Sequence, residues 1–396
     1  MTIVLSPELL ELRRRVRQFV DERVIPAEPT LWEQARQGAM PMLDTLRDEA
    51  RALGLFAPHL PVDLRGNGLG LTGMCALFQE MGRSLFGPRA FHCDAPDQGN
   101  MDLLALCATP AQRQRYLVPL AQGSLRSAFC MTEPAPGAGA DPRNLRTEAR
   151  LDGGEWVLDG HKWFATGGMG ADFFLVMART SAHAATLFLV DGHAPGVERV
   201  RQIPTMAEHI PGHDHAELRF HGVRLPAHNV LGQPGDGFRL AQLRLVPARL
   251  THCMRWLGLA DRALGLCRGY LTERVSFGAP LAQHQLVADM VARSAMELHA
   301  GSLMVWHCAD RLEKGDIASA RGYSSMAKLH VARALCDILD RAIQMHGAKG
   351  YSDDLPFGRW YRFARAARIA DGPDEVHVGV ISRDVLDGRL LPLVDP

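Results

Sequence analysis

The run Arg368-Ile369-Ala370-Asp371-Gly372-Pro373-Asp374-Glu375-Val376-His377 sets a carboxylate just ahead of a helix. Gly372 can take the backbone angles of a tight turn. Pro373 suits the first position of a helix, where its missing N–H costs nothing. Asp374 and Glu375 then fall in the first helical turn, where the helix dipole stabilises negative charge. Asp371 is left at the turn, outside the regular helix. A carboxylate there could face a ligand and accept a proton from it. It could equally be a turn or capping residue and no more.

Four other stretches carry residues suited to a ligand. Phe129-Cys130-Met131-Thr132-Glu133-Pro134 comes off a strand and leads into small residues up to Asp141. Small residues let backbone N–H groups approach a polar ligand, and Thr132 adds a hydroxyl. Within Gly160–Gly168, two aromatics with Ala165 and Thr166 could pack on a flat ring and donate to its edge. Arg274, in Arg274-Val275-Ser276-Phe277-Gly278, could clamp a pyrophosphate or simply cap a helix. Gln344-Met345-His346-Gly347-Ala348-Lys349-Gly350 suits backbone contact with a ligand, or merely stops a helix. Taken singly, each has an equally good structural explanation.

The elements that must position them follow an α, β, α order. Residues 1–125 are expected to be helical. Ser6-Pro7-Glu8 starts the first helix with a capping serine, and Pro26 and Pro29 are expected to end it. A second helix should span 41–53, and 57–70 should be loop. Residues 126–236 change to short β-rich runs, with Asp152-Gly153-Gly154 as a hairpin signal. The expected strands are 127–131, 155–158, 173–178, 186–190, 197–201, 216–220 and 223–225. Residues 237–396 return to apolar helices at 238–271, 282–314, 319–346 and 374–387, which suggests a four-helix bundle. The class is α+β: a helical domain, a β-barrel or sandwich, and a bundle.

Composition narrows the function. The 396 residues are 47% apolar and carry zero formal net charge, so nothing favours nucleic acid or an anionic membrane. Gly68-Leu69-Gly70-Leu71-Thr72-Gly73 fits a dinucleotide fingerprint only in letters. Two prolines break the stretch before it, and Pro88 stands where an acid is needed. His209, His213 and His215 lack the companions of a metal site, and no metal is expected. The eight scattered cysteines read as buried thiols in a reducing compartment. No run is apolar enough to span a bilayer, and the N-terminus has no secretory core, so a cytoplasmic enzyme is the expectation.

Together and in this order, the five stretches resemble the acyl-CoA dehydrogenase family of flavoproteins over essentially the whole chain. The closing Ala370–His377 run looks most like the subgroup containing the dehydrogenase domains of human family members ten and eleven, without their extra kinase-like domain. The resemblance implies an N-terminal helical domain, a middle β domain and a C-terminal four-helix bundle, assembled as a homodimer or homotetramer that binds FAD. By position, Phe129, Met131, Thr132, Phe164, Ala165 and Thr166 would surround the flavin ring and ribityl chain. Arg274, Phe277, Gln344, Gly347 and Ala348 would meet the pyrophosphate and adenosine of a neighbour's FAD. Pro373 and Glu375 would also contact the cofactor. Arg249 and Gly372 would contact the acyl-CoA substrate. Phe164 stands where many members have tryptophan, and Ala140 where a serine often contacts FAD.

The same resemblance implies a reaction. Asp371 would remove the α-proton of an acyl thioester while hydride passes from the β-carbon to flavin N5, with an electron-transferring flavoprotein as acceptor. Asp371 aligns with the usual glutamate. Some members instead carry the base just before the residue equivalent to Arg249, but here that residue is Ala248. The shorter base implies a substrate other than a plain straight-chain acyl-CoA, branched or hydroxylated. Two alternatives are a flavin-dependent oxidase of the same fold, nitroalkane-oxidase-like, and a non-catalytic FAD-binding protein.

Overall fold

The structure, a computed structural model, describes residues 4–390. Residues 1–3 and 391–396, which the expected domain limits include, lie outside it. Ser6 caps the first helix, its hydroxyl accepting from the Leu9 N–H at 3.2 Å. The helix does not end at Pro26. Pro7–Phe19 runs through a wide π turn, Val20–Val24, into Ile25–Arg36. The Ile25 N–H reaches back to the Val20 carbonyl, so the wide turn makes room for a proline that has no N–H to give. Pro41–Ala52 follows, and Gly54 takes φ +66° just beyond it. Of the decoy glycines, Gly68 and Gly70 sit in a loop before the Leu71–Met81 helix and Gly73 inside it, with no strand ahead of them.

Eight strands make the middle sheet: β1 Ser127–Cys130, β2 Glu148–Asp152, β3 Glu155–Thr166, β4 Phe173–Arg179, β5 Ala185–Asp191, β6 Val197–Gln202, β7 His215–Pro226 and β8 Val230–Leu231. Their order is β6-β7-β3-β2-β4-β5-β8, and β1 runs parallel to β4. Two departures from expectation concern length. β3 and β7 are each one long strand, because Gly160 and Gly222 do not end them. The β3–β7 register shifts once between Leu158 and Gly160 and again between Lys162 and Ala165. A Cβ on Gly160 would lie 2.4 Å from Thr147, so this glycine is a close approach inside a strand rather than a turn.

Four long helices form the bundle: Gly237–Glu273, Gln285–Glu313, Ile317–His346 and Asp374–Leu386. The Gly237–Glu273 helix is its axis, packing on Ile317–His346, on Gln285–Glu313 and on the N-terminal Leu71–Met81 helix. The last contact is close because a Cβ on Gly258 would fall 2.0 Å from the Gln79 carbonyl. Among the described residues, no helix is long and apolar enough to cross a membrane.

Candidate active site

The Ala370–His377 run forms the turn expected of it, with one shift of position. Pro373 is the residue before the helix, at φ −65° and ψ 161°, and Asp374 begins Asp374–Leu386. Its fixed φ suits that capping place as well as the first helical one. Asp371 takes φ +54° and Gly372 φ +105°. A Cβ on Gly372 would meet His377 Nε2 at 3.0 Å. Gly372→Ala is therefore expected to cost ~1–3 kcal/mol in strain and to displace Asp371. Thermal unfolding and turnover, measured together, check this: both should fall.

The Gly237–Glu273 helix holds the turn from one side. Arg249 Nε donates to the Asp371 carbonyl at 3.0 Å, bringing together the residues expected to be base and substrate contact. From the bundle, the buried Lys328 Nζ donates to the Gly372 carbonyl at 2.6 Å. The Asp371 carboxylate is not spent on these contacts, and its Oδ2 is buried with no hydrogen-bond partner. His252 Nε2 faces that oxygen at 3.5 Å. Burial pushes the Asp371 carboxyl up, but His252, Arg244, Arg249 and Lys328 outweigh it and hold the carboxyl below its usual range. The group is thus ionised at neutral pH and free to accept a proton.

Other expected contacts lie in the β domain. Lys162 Nζ donates to the Met131 carbonyl at 3.0 Å and to Glu133 Oε1 at 2.9 Å. Glu133 also accepts from the backbone N–H groups of Ala138, Arg146 and Thr147. The Trp163 N–H donates to the Thr132 carbonyl at 3.1 Å. These bonds tie the Phe129–Pro134 loop to the end of β3, so Phe129, Met131 and Thr132 lie beside Phe164, Ala165 and Thr166. The register shift near Phe164 turns its ring outward, 43% exposed. The Arg244 guanidinium lies 4.2 Å over the Phe129 ring of β1, and its charge is one of those that hold the Asp371 carboxyl low.

Arg274, Phe277, Gln344, Gly347 and Ala348 lie elsewhere. Arg274 ends the long helix, and Phe277 stands 97% exposed on a hairpin of Val275–Ser276 and Ala279–Pro280. Tyr270 stacks on His346 at 4.4 Å, which gathers this turn and the Gln344–Ala348 turn at one end of the bundle. Arg249 and Arg274 are separated by about 38 Å along the helix axis. Glu375 is exposed beside the Asp371 turn. Six described non-glycine residues have left-handed φ, and Phe164, Phe277 and Asp371 are three of them. Backbone strain therefore gathers at the stretches the sequence singled out.

Sequence reasoning missed His252, Arg244 and Lys328. His252 stands three residues after Arg249, on the same helix face, which was the available signal. It also missed a buried polar layer between the long helix and the Asp97–Cys107 helix. Arg244 Nε donates to Asn100 Oδ1 at 2.7 Å, and Thr251 Oγ1 donates to Gln98 Oε1 at 2.9 Å.

Comparison with known proteins covers nearly all of the chain. Residues 6–124, 128–223 and 235–386 match the acyl-CoA dehydrogenase N-terminal, middle and C-terminal domains respectively. A Mycobacterium tuberculosis protein named "Probable acyl-CoA dehydrogenase FadE2" is 38% identical over 97% of this chain and 96% of its own length. Mouse acyl-CoA dehydrogenase family member 10 is 36% identical over 94% of this chain, which spans only 36% of that longer protein. A solved structure from Mycobacterium abscessus, assigned to the acyl-CoA dehydrogenases, superposes with a TM-score of 0.92 at 36% identity, covering 98% of this chain and 100% of that one. Butyryl-CoA dehydrogenase from Megasphaera elsdenii superposes at 0.86 with 26% identity, over 98% and 100% of the two chains.

Proposed function

The chain belongs to the acyl-CoA dehydrogenase family, and from that premise we propose that Asp371 is the base that opens the α,β-dehydrogenation of an acyl-CoA thioester. The observation that carries this reading is the Asp371 Oδ2, buried without a partner in a strained turn tied to Arg249. The α C–H of a thioester is a very weak acid. Asp371 breaks that bond and forms an O–H on its own carboxyl, and the freed electron pair spreads onto the thioester oxygen. That oxygen needs donors. The Asp371 and Gly372 N–H groups have no backbone carbonyl partner among the described residues and stand next to the base. The acyl chain, by expelling water, raises the carboxyl's affinity for the proton it takes. Ala248 has no side chain that could serve instead, and its place is buried.

The cofactor is FAD. When bound, FAD supplies the acceptor for hydride from the β-carbon. The residues present fit it: Phe164 offers an outward ring, and Thr132 and Thr166 offer half-buried hydroxyls beside it. Pro373 and Glu375 flank the base. Arg274, Phe277, Gln344, Gly347 and Ala348 are too far along the long helix to share that FAD in one chain. A second copy of the chain supplies them, in a homodimer or a homotetramer built from it, and the exposed Phe277 is the part that reaches across. An electron-transferring flavoprotein is the proposed acceptor and the cytoplasm the proposed compartment.

The short aspartate base supports a branched or hydroxylated acyl group. Straight-chain butyryl- to palmitoyl-CoA should then turn over at least ~10-fold more slowly than a branched or hydroxylated chain of equal length. Equal rates would contradict the substrate reading. Oxygen consumption without any acceptor would move the protein to the oxidase alternative.

A further inference from the structure

We infer that His252 is a positioning residue for the Asp371 base: a neutral imidazole whose Nε2–H, fixed in place by Arg255, is aimed at Oδ2 of the carboxylate. The inference rests on the assignment of Asp371 as base. Arg255 Nη2 lies 3.0 Å from His252 Nδ1. A guanidinium has donors only, so Nδ1 must be the acceptor and the ring proton must sit on Nε2. Nε2 is the atom that faces Asp371 Oδ2 at 3.5 Å. The ring cannot swing away easily, because it stacks on Trp256 at 5.3 Å with 25° between planes. Arg255 is itself anchored. Its Nη1 donates to the Cys93 carbonyl at 2.9 Å, and its Nε lies 3.9 Å from Asp94 Oδ1.

Burial, and then the Arg255 charge, push the imidazolium down to about 4, so the ring is neutral at working pH. Three consequences follow. His252 cannot be the base, since Nδ1 is taken by Arg255 and Nε2 already holds its proton. It cannot carry the abstracted proton away for the same reason. Its contribution is an N–H dipole whose positive end faces Oδ2 at 3.5 Å and sets the orientation of the carboxylate. The geometry also bears on why the base is short. A glutamate at 371 would reach about 1.5 Å further, and its carboxylate would run against the imidazole edge.

The titratable and charged groups around Asp371 are Arg244, Arg249, His252 and Arg255 from the long helix, Lys328 from Ile317–His346 and His377 from Asp374–Leu386. His252 and His377 are held neutral by burial, so removing His252 takes away an N–H dipole without taking away a charge. A donor to the ionised form lowers a carboxyl's pKa, so losing it raises that pKa. In His252→Phe, which keeps the stacked ring, the acid limb of the kcat–pH profile should move up by about one unit. Here kcat should fall roughly 10-fold or more, with FAD binding and KM for the acyl-CoA little changed. His252→Gln, whose amide can donate from near the Nε2 position, should recover much of both.

The same behaviour in Phe and Gln variants, or an acid limb that stays put, overturns the proposal. Independently of any variant, nitrogen NMR of labelled histidine in the wild-type holoenzyme should show a neutral Nε2–H tautomer between about pH 5 and 8. An Nδ1–H tautomer or an imidazolium there also overturns it. Asp371→Asn, run alongside, separates the two readings. If that variant still reduces its flavin with acyl-CoA, the base assignment fails. If it does not, while His252→Phe matches the wild type, only the positioning role fails.

Discussion

Asp371→Asn should keep FAD and lose catalysis. Asparagine matches aspartate in shape, accepts φ > 0 readily, and leaves the main-chain bonds from Arg249 and Lys328 in place. The turn should therefore hold. What goes is the basic oxygen. A positioned base contributes about 10²–10⁴-fold, and Ala248 offers no substitute, so kcat should fall by ~10²–10⁴-fold while flavin content and Tm stay near wild type. Steady-state turnover with an artificial acceptor, read beside the flavin spectrum, checks this. Retained turnover would show that another group takes the proton. Asp371→Glu should be impaired but active, because the base remains and only its reach changes.

Lys162→Met should destabilise the protein more than a surface change could. Lys162 and Glu133 face each other at 2.9 Å, 0% and 3% exposed. Removing the cation strands a buried carboxylate, which costs ~3–5 kcal/mol. For a chain of this size that is on the order of 10 °C in Tm. Flavin retention should fall as well, since Lys162 also ties down the Met131 carbonyl. Adding Glu133→Gln should recover part of the loss, because two neutral partners do less harm than one unpaired charge. The pH dependence has a definite sign. Burial opposes ionisation of Glu133, but Lys162 and backbone donors bring its carboxyl from 4.5 to about 2. A depressed carboxyl adds stability above its unfolded value and loses it as pH falls through its folded one. The wild type should shed this contribution between about pH 4.5 and 2, and Lys162→Met should not. An unchanged Tm would show that the pair adds nothing.

The sequence disclosed the parts of the site that are local in the chain. Asp371, Gly372 and Pro373 spell a turn, and helix polarity places Asp374 and Glu375. The α, β, α order was equally readable, because apolar spacing changes with element type. What it concealed is tertiary or conformational. A proline inside a helix reads as a stop unless the preceding turn widens, as at Val20–Val24. Gly160 reads as a strand end unless Thr147 is known to press against it. The positive φ of Phe164 follows from a mismatch between β3 and β7 that neither strand shows alone. His252 looks like one more helical histidine until folding sets Asp371 opposite it. Lys162 and Glu133 were in plain view as charged residues in ligand-like stretches, yet their work is to hold the loop rather than touch the ligand.

Anaerobic mixing of wild-type holoenzyme with a panel of acyl-CoAs, including branched and hydroxylated chains and their α-deuterated forms, tests the central claim most directly. The flavin band should bleach with at least one member, one enoyl-CoA should form per flavin reduced, and α-deuteration should slow the bleaching. A flavin that no acyl-CoA bleaches, or bleaching indifferent to α-deuterium and to Asp371→Asn, would contradict the account.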